Sequence, residues 1–336
     1  MSAERHVSLA HGNGGRVTRD LVETIFARHL AEAGPDLRLD AAPLALEPGQ
    51  VPLITTDGFT VQPLIFPGGD IGRLAVHGTV NDLAVSGAAP RFLTLNAIIE
   101  EGLAISVLNA VASGLASAAR EAGVQVVAGD TKVVPRGQGG GLYLVTTGVG
   151  MRKPAVALGL DRIRAGDEIL VSGPVGDHGI AVMLAREAFD LSGDVRSDCA
   201  PVTALALPIA ALNGVRFMRD PTRGGLATVT HEIASATGLD VHLEEGCIPV
   251  RDPVRSVCTM LGYDPYYLAC EGRVIAVVEP EVASAVLRLW RDIPAGAGAR
   301  RIGTVAKGCG RVILHTEIGG ERLLEELEDD PLPRIC

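Results

Sequence analysis

Apolar runs of strand length alternate with apolar stripes at helical spacing through most of this chain, and that alternation limits the fold it can adopt. Val17, Leu21, Ile25 and Phe26 stand at helical spacing over 17–30. Residues 51–56 read as a strand running into Asp57-Gly58, residues 71–86 as a helix carrying Asn81-Asp82, and residues 91–100 as a strand. Val107, Leu108, Val111 and Leu115 give an amphipathic helix over 103–121, and 124–127 reads as a short strand ending at Gly129-Asp130-Thr131-Lys132. Residues 142–149 are a further strand, and turn-rich sequence follows over 150–166. The mixed pattern then resumes, with strands at 168–171, 274–278 and 311–315 and helices near 179–190, 200–212 and 225–236. The expected architecture is α/β (α+β) in two domains, 1–155 and 166–318, followed by a flexible tail over 321–336. Within that tail 321–330 reads as a short acidic helix, which Pro331 and Pro333 would end.

Composition narrows the function classes. At 47% hydrophobic, 336 residues build substantial cores, and only 3% are aromatic, which favours close-packed helices on sheets. Net charge is −10 with no cluster of Lys and Arg, which argues against nucleic acid and membrane surfaces as partners. No apolar run reaches the ~20 residues of a membrane helix. The first residues lack a signal-peptide core, so the expected location is cytoplasmic. Of the six cysteines, Cys199, Cys247, Cys258, Cys270 and Cys309 show no CxxC or zinc-finger spacing and read as small apolar residues. Cys336 differs. It stands last, after Pro333-Arg334-Ile335, where no packing role explains it, and on position alone it reads either as a nucleophile or carrier attachment point or as an accidental terminal residue on a frayed tail.

Candidate binding groups gather at glycine turns. His11-Gly12-Asn13-Gly14-Gly15 precedes a helix, and such a turn lets backbone N–H groups approach phosphate oxygens. There is no Walker A sequence and no dinucleotide-binding fingerprint, since Val17 stands where its third glycine would be. Asp57 and Asp130 read as following strands, Asp82 follows Asn81, and Asp220 opens Asp220-Pro221-Thr222-Arg223-Gly224-Gly225. Several carboxylates in one place repel unless a cation joins them, and Mg²⁺ takes oxygen ligands that bridge to nucleotide phosphates. Lys132 would meet a phosphate as a point charge. Singly, each aspartate is as well explained as a cap or turn former; together they point to a metal–nucleotide site. Glu271 is a candidate general base and His178 a candidate polar contact.

Taken in order, His11 to Gly15, Thr55-Thr56-Asp57-Gly58, Gly78 to Leu83, Gly129 to Val133, Arg219 to Gly225 and Pro333 to Cys336 resemble the HypE family of hydrogenase maturation proteins. The aspartate motifs are shared with aminoimidazole ribonucleotide synthetase and selenophosphate synthetase, which lack the cysteine tail. The resemblance implies the two-domain aminoimidazole ribonucleotide synthetase-like fold, a homodimer, and bound ATP and Mg²⁺. It implies the metal ligands Asp57, Asp82, Asp130 and Asp220, with His11, Gly12, Asn13, Gly14, Lys132 and Thr222 at the nucleotide. It implies catalytic roles for Cys336, Lys132 and Glu271. The implied activity is dehydration of a carbamoyl group, placed on Cys336 by HypF carbamoyltransferase, to a thiocyanate. Its cyanide would pass to iron on a HypC–HypD complex. Fully extended, the fourteen residues from Leu323 to Cys336 would span ~45 Å. The alternatives are a small-molecule ATP-dependent synthetase of the same superfamily, which would not need the tail, and a nucleotide-binding scaffold.

Overall fold

The computed structural model describes residues 6–12, 15–30, 42–186 and 194–327. Helix α1 (Arg16–Leu21) continues through a wider turn at Val22–Ala27 to Arg28–Leu30, and buries Leu21, Ile25, Phe26 and Leu30. Four strands follow: β1 (Val51–Phe59), β2 (Ala89–Glu100), β3 (Gln125–Val134) and β4 (Leu142–Arg152). They form one sheet in the order β1-β4-β2-β3, antiparallel except for the β2–β3 pair. A parallel pair needs a crossover, which α3 (Ile105–Ala122) provides, while α2 (Ile71–Val85) links β1 to β2. Strand alternation puts Leu93, Leu95, Ala97 and Ile99 of β2, with Leu142 and Leu144 of β4, into the core under these helices. The other face, with Phe92, Ile98, Tyr143, Val145 and Val149, is only partly covered.

The helices α2 and α3 pack closely because glycines face the contact. A Cβ on Gly72 would meet the Val111 carbonyl, and one on Gly114 would run into the Asp70 carboxylate. That carboxylate is already committed. Asp70 Oδ1 accepts from the Gly72 and Arg73 N–H groups at 2.8 and 3.0 Å and caps α2.

The second sheet contains β5 (Glu168–Val171), β6 (Val215–Arg219), β7 (Asp240–Glu244), β8 (Ile275–Val278), β9 (Arg300–Ala306), β10 (Val312–His315) and β11 (Glu321–Leu323). Their order is β11-β10-β7-β9-β5-β8-β6. Every residue of β8 is buried, because helices cover both faces of the sheet centre. The second half carries α4 (Asp177–Arg186), α5 (Thr203–Ala210), α6 (Gly225–Thr237), α7 (Asp252–Leu261) and α8 (Pro280–Arg291), of which α6 covers one face of this sheet and α5 and α8 the other. The cores cross the turn-rich segment. Ile180 to Met183 of α4 and Val254 of α7 join the first core, and Ala84 and Val85 of α2 join α5 and α8.

Several expectations change. Asp57 lies inside β1, and Gly129 to Lys132 lie inside β3 rather than after a strand, because β3 runs on in parallel pairing with Leu95 to Ile98. The acidic helix does not form over 321–327. Glu321–Leu323 pairs with β10, the Leu324 N–H donates to the Val312 carbonyl at 3.0 Å, and Leu324 is buried. A ten-residue helix with little apolar periodicity cannot compete with that pairing. Residues 328–336 lie outside the described residues, as does Cys336. Cys199, Cys258 and Cys270 are buried as small apolar groups, but Cys247 and Cys309 are exposed on short loops at strand ends. Among the described residues no helix is long and apolar enough to cross a membrane.

Gly114→Ala should therefore displace the Asp70 cap and lower stability by about 1–3 kcal/mol in urea denaturation. An unchanged midpoint would show that the close approach of α2 to α3 is not set by Gly114.

Candidate active site

The site grows from one helix that touches both sheets. On α2, Asp82 Oδ2 accepts from Thr55 Oγ1 of β1 at 2.9 Å, which brings Asp82 beside Asp57. One residue earlier, the buried Asn81 reaches the other way. Its Nδ2 donates to the carbonyls of Ala200 and Glu271 at 3.1 and 3.3 Å, and its Oδ1 accepts from the Val202 N–H at 2.8 Å. Neighbouring residues of a helix point in different directions, so the Asn-Asp pair can hold the second half of the chain with one side chain and present a carboxylate with the next. The buried Asp220 stands at the end of β6 and opens a turn closed by Thr222 N–H to Asp220 O at 3.0 Å and Gly225 N–H to Thr222 O at 2.9 Å. Gly225, at φ +59, is pressed against the carbonyls of Tyr266 and Leu268, where a Cβ would not fit. The Cys270 N–H donates to the Pro221 carbonyl at 2.9 Å, which locks this loop to the segment that carries Glu271 into β8.

Glu271 is fixed through its backbone. Its N–H donates to Asp198 Oδ1 at 3.0 Å, and its carbonyl takes the Asn81 amide and the Ala200 N–H. A buried ion-pair group supports this arrangement: Arg273 lies 3.3 Å from Asp198 and 3.7 Å from Asp177, and Arg251 lies 2.7 Å from Asp177. The Glu271 carboxyl is buried and makes no hydrogen bond among the described residues. Its chemistry is set by its surroundings. Burial first, then the charges of Asp220, Asp198, Asp57 and Asp82, raise its pKa well above the ordinary range. Burial and the Asp82 charge push Asp220 up to about 7. Burial also raises Asp82, against its Thr55 hydrogen bond, and raises Asp57, against the Gly58 N–H and Arg223.

Four carboxyl groups whose proton affinity is raised by burial form a pocket suited to a hard cation with oxygen ligands. As placed, no three of the histidine, cysteine, aspartate and glutamate side chains among the described residues converge tightly enough to enclose an ion. A cation bound there would draw on one or two of these carboxylates, with phosphate and water completing its shell. A cavity of about 330 Å³ opens beside Asp82, lined by Thr55, Ser86, Arg152, Phe217 and Arg219 among others. Arg219, 2.8 Å from Glu232 and 5.7 Å over the Phe217 ring, and Arg152 are the cations of this cavity. The Arg219 signal was present, since it precedes Asp220 directly in the chain; nothing in the sequence around Arg152 singles it out.

Asp130 and Lys132 stand elsewhere. They form an exposed ion pair of 3.1 Å on β3, and they register with Asn96 and Ile98 on the partly covered face of the sheet. Asp57 registers with the buried Thr146 on the opposite face, at the other edge of the sheet. Three strand spacings, ~14 Å, and the thickness of the sheet separate them. The buried His11 and Gly12 lie on the β3 side, where a Cβ on Gly12 would strike Val133. One chain thus carries two groups of site residues: Asp57, Asp82, Asp220, Thr222 and Glu271 in the cleft, and His11, Gly12, Asp130 and Lys132 along β3. Asn13 and Gly14 lie outside the described residues. His178 is buried, bonded to Ser197 Oγ at 2.8 Å and edge-on to Phe66, and so belongs to the core.

Known proteins resemble the chain over nearly its whole length. Residues 38–152 match the AIR synthase related protein N-terminal domain and residues 164–315 its C-terminal domain. Carbamoyl dehydratase HypE of Azotobacter vinelandii is 45% identical over 332 residues, covering 98% of this chain and 97% of that protein. The crystal structure of hydrogenase maturation protein HypE in complex with ATP superposes with a TM-score of 0.93 at 43% identity, covering 98% of this chain and 99% of the other. That of a HypE–HypF complex superposes with a TM-score of 0.80 at 38% identity, covering 93% and 100%.

The raised Asp220 pKa has a consequence for stability. Between its ordinary value of 3.8 and about 7 the folded chain holds a proton that the unfolded chain has released. This contribution is complete below pH 3.8 and is lost as pH rises through about 7. Asp220→Asn cannot titrate, so without bound metal or nucleotide the stability of the wild type relative to the variant should fall across that range. Urea denaturation at a series of pH values checks it; a difference that is flat or rises with pH would contradict the raised pKa.

Proposed function

The chain belongs to the HypE family of hydrogenase maturation proteins, and from that premise we propose that it is an ATP-dependent carbamoyl dehydratase acting on its own Cys336 in the cytoplasm. The observation that carries the reading is Glu271: a buried carboxyl of high proton affinity, without a side-chain partner, held among four aspartates.

The reaction asks for such a group. A carbamoyl group on sulfur, S–C(=O)–NH₂, has no good leaving group. Transfer of the γ-phosphoryl group of ATP to the amide oxygen, with loss of one N–H proton, gives an S-linked imidoyl phosphate and ADP. Loss of the second N–H proton as the C–O bond breaks gives S–C≡N and phosphate. The substrate oxygen leaves in the phosphate, so the net change on the cysteine is the removal of one water. Glu271, once ionised, would take an N–H proton, because a carboxylate with a raised pKa is the stronger base. Asp57, Asp82 and Asp220 would hold Mg²⁺, which when bound neutralises the phosphates and orients the group transferred. Lys132 would meet a phosphate, and the 11–15 loop would cover it. The carbamoyl donor is HypF, and the cyanide acceptor is the iron of a HypC–HypD complex.

Lys132 can reach the carboxylate cleft only from another copy of the chain. The partly covered face of the first sheet carries Phe92, Ile98, Tyr143, Val145 and Val149, and on the edge strand β1 Ile54 is 73% exposed. Two copies packing these faces would cover them and could close the two sheets into one barrel without free edges. With the two-fold axis along the barrel, β1 of one copy lies beside β3 of the other. That pairing brings the strand that carries Asp130 and Lys132 of one copy to the edge of its partner's Asp57 cleft.

Intact-mass analysis with HypF, a carbamoyl donor and ATP tests the activity. Cys336 should gain the carbamoyl mass and then lose the mass of one water. Glu271→Gln should still load, and should lose water about 10²–10⁴-fold more slowly. Water loss at the wild-type rate in that variant would remove Glu271 from the mechanism, and a wild-type adduct that never loses water would remove the activity. Ile54→Glu should shift the chain toward monomer in sedimentation; an unchanged assembly would exclude the β1 edge from the interface.

A further inference from the structure

We propose that His231 and Tyr267 form a clasp that fixes where the tail leaves the body of the protein, so that Cys336 is delivered to the Asp220 side of the cleft. The proposal rests on the function given above. After β11 the chain does not run free. The Leu324 N–H donates to Val312 O, and the Leu324 side chain enters the second core. Two side chains then hold consecutive carbonyls: His231 Nε2–H donates to Leu324 O at 2.7 Å, and the Tyr267 hydroxyl donates to Glu325 O at 2.7 Å. Beyond Leu323 no strand neighbour would otherwise bond these acceptors. The bonds go to the backbone, so they fix the path of the chain while Glu325 and Glu326 remain exposed. Leu327 comes to rest against Gly224, where a Cβ would stand 3.4 Å from Leu327 Cδ1.

The clasp elements are those of the active-site loop. His231 lies on α6, whose first residues follow the Asp220 turn, and Tyr267 closes the short turn (Pro265–Tyr267) on which Gly225 is seated. Gly224 is four residues from Asp220. The tail is therefore tied down on the element that positions Asp220, and not at the distant sheet edge where β11 ends. Nine residues remain after Leu327, a reach of ~30 Å when extended. Released at Leu323, thirteen residues would search a larger volume from a point farther off. A shorter tether with its root beside the target raises the effective concentration of the thiol at the site. His231 and Tyr267 touch no reacting atom; they are positioning residues.

The two half-reactions separate this role from a general effect on folding. The full-length chain is loaded by HypF, and water loss at saturating ATP is then followed by intact mass in a single turnover. Hydrogen exchange is measured on the same samples. Tyr267→Phe removes one hydroxyl and should slow water loss about fivefold, the value of one net hydrogen bond. Adding His231→Ala should slow it further. His231→Gln, which keeps a donor, should behave close to wild type. Exchange should rise at Leu324 to Leu327 while α6 stays protected, and carbamoyl loading should be unchanged or faster. Wild-type water loss in the double variant, or loading and water loss falling together, would overturn the clasp. If the wild-type chain itself never loses water, the dehydratase reading fails, and exchange alone then decides: no rise at Leu324 to Leu327 in the double variant overturns the clasp.

Discussion

Asn81 is the contact on which the site depends. Its three hydrogen bonds, to Ala200, Glu271 and Val202, come from a helix of the first sheet and end on two segments of the second half. Asp82 follows it directly, so the same turn of helix sets one carboxylate and anchors the backbone of another. Buried amide hydrogen bonds of this kind are costly to leave unmade. The relative placement of Asp82 and Glu271 is therefore tied to the packing of the whole chain, and the shared cores that run from α2 into α4, α5 and α8 reinforce it.

The electrostatics explain why such a frame is needed. Burial raises the proton affinity of Asp57, Asp82, Asp220 and Glu271, and neighbouring carboxylates add to it for Asp82, Asp220 and Glu271. Left mobile, these groups would turn to water. Held by backbone bonds and by the Arg273–Asp198 and Arg251–Asp177 pairs, they stay in place as an unsatisfied field. A cation with a nucleotide's phosphates matches that field, and the buried Glu271 carboxyl is part of it.

Much of this was legible in the sequence. The alternation of apolar periods gave the α2, β2 and α3 segments within a few residues, and the aspartate motifs marked the cleft. Strand ends were less legible. Gly129-Asp130 reads as a turn by local chemistry, but parallel pairing with Leu95 and Asn96 carries β3 through it. β6, with Arg216 and Arg219 in five residues, and β7, with alternating polar groups, carry too little apolar signal to be read as strands. The sequence also grouped Asp130 and Lys132 with Asp57, because proximity in a motif says nothing about which face of a sheet a residue occupies. Only the register shows them on opposite faces. The roles of Asn81, His231 and Tyr267 depend on backbone partners remote in the chain, which no local pattern encodes.

The central claim is that one catalytic cleft draws its carboxylates from one chain and Lys132 from another. Mixing two inactive variants, Asp57→Asn and Lys132→Ala, tests it most directly, with ATP-dependent water loss from carbamoylated Cys336 as the readout. If the cleft is shared, each mixed pair has one intact site, and an equal mixture that exchanges subunits should recover about a quarter of the wild-type rate. A mixture that exchanges subunits and recovers no activity would contradict the shared cleft.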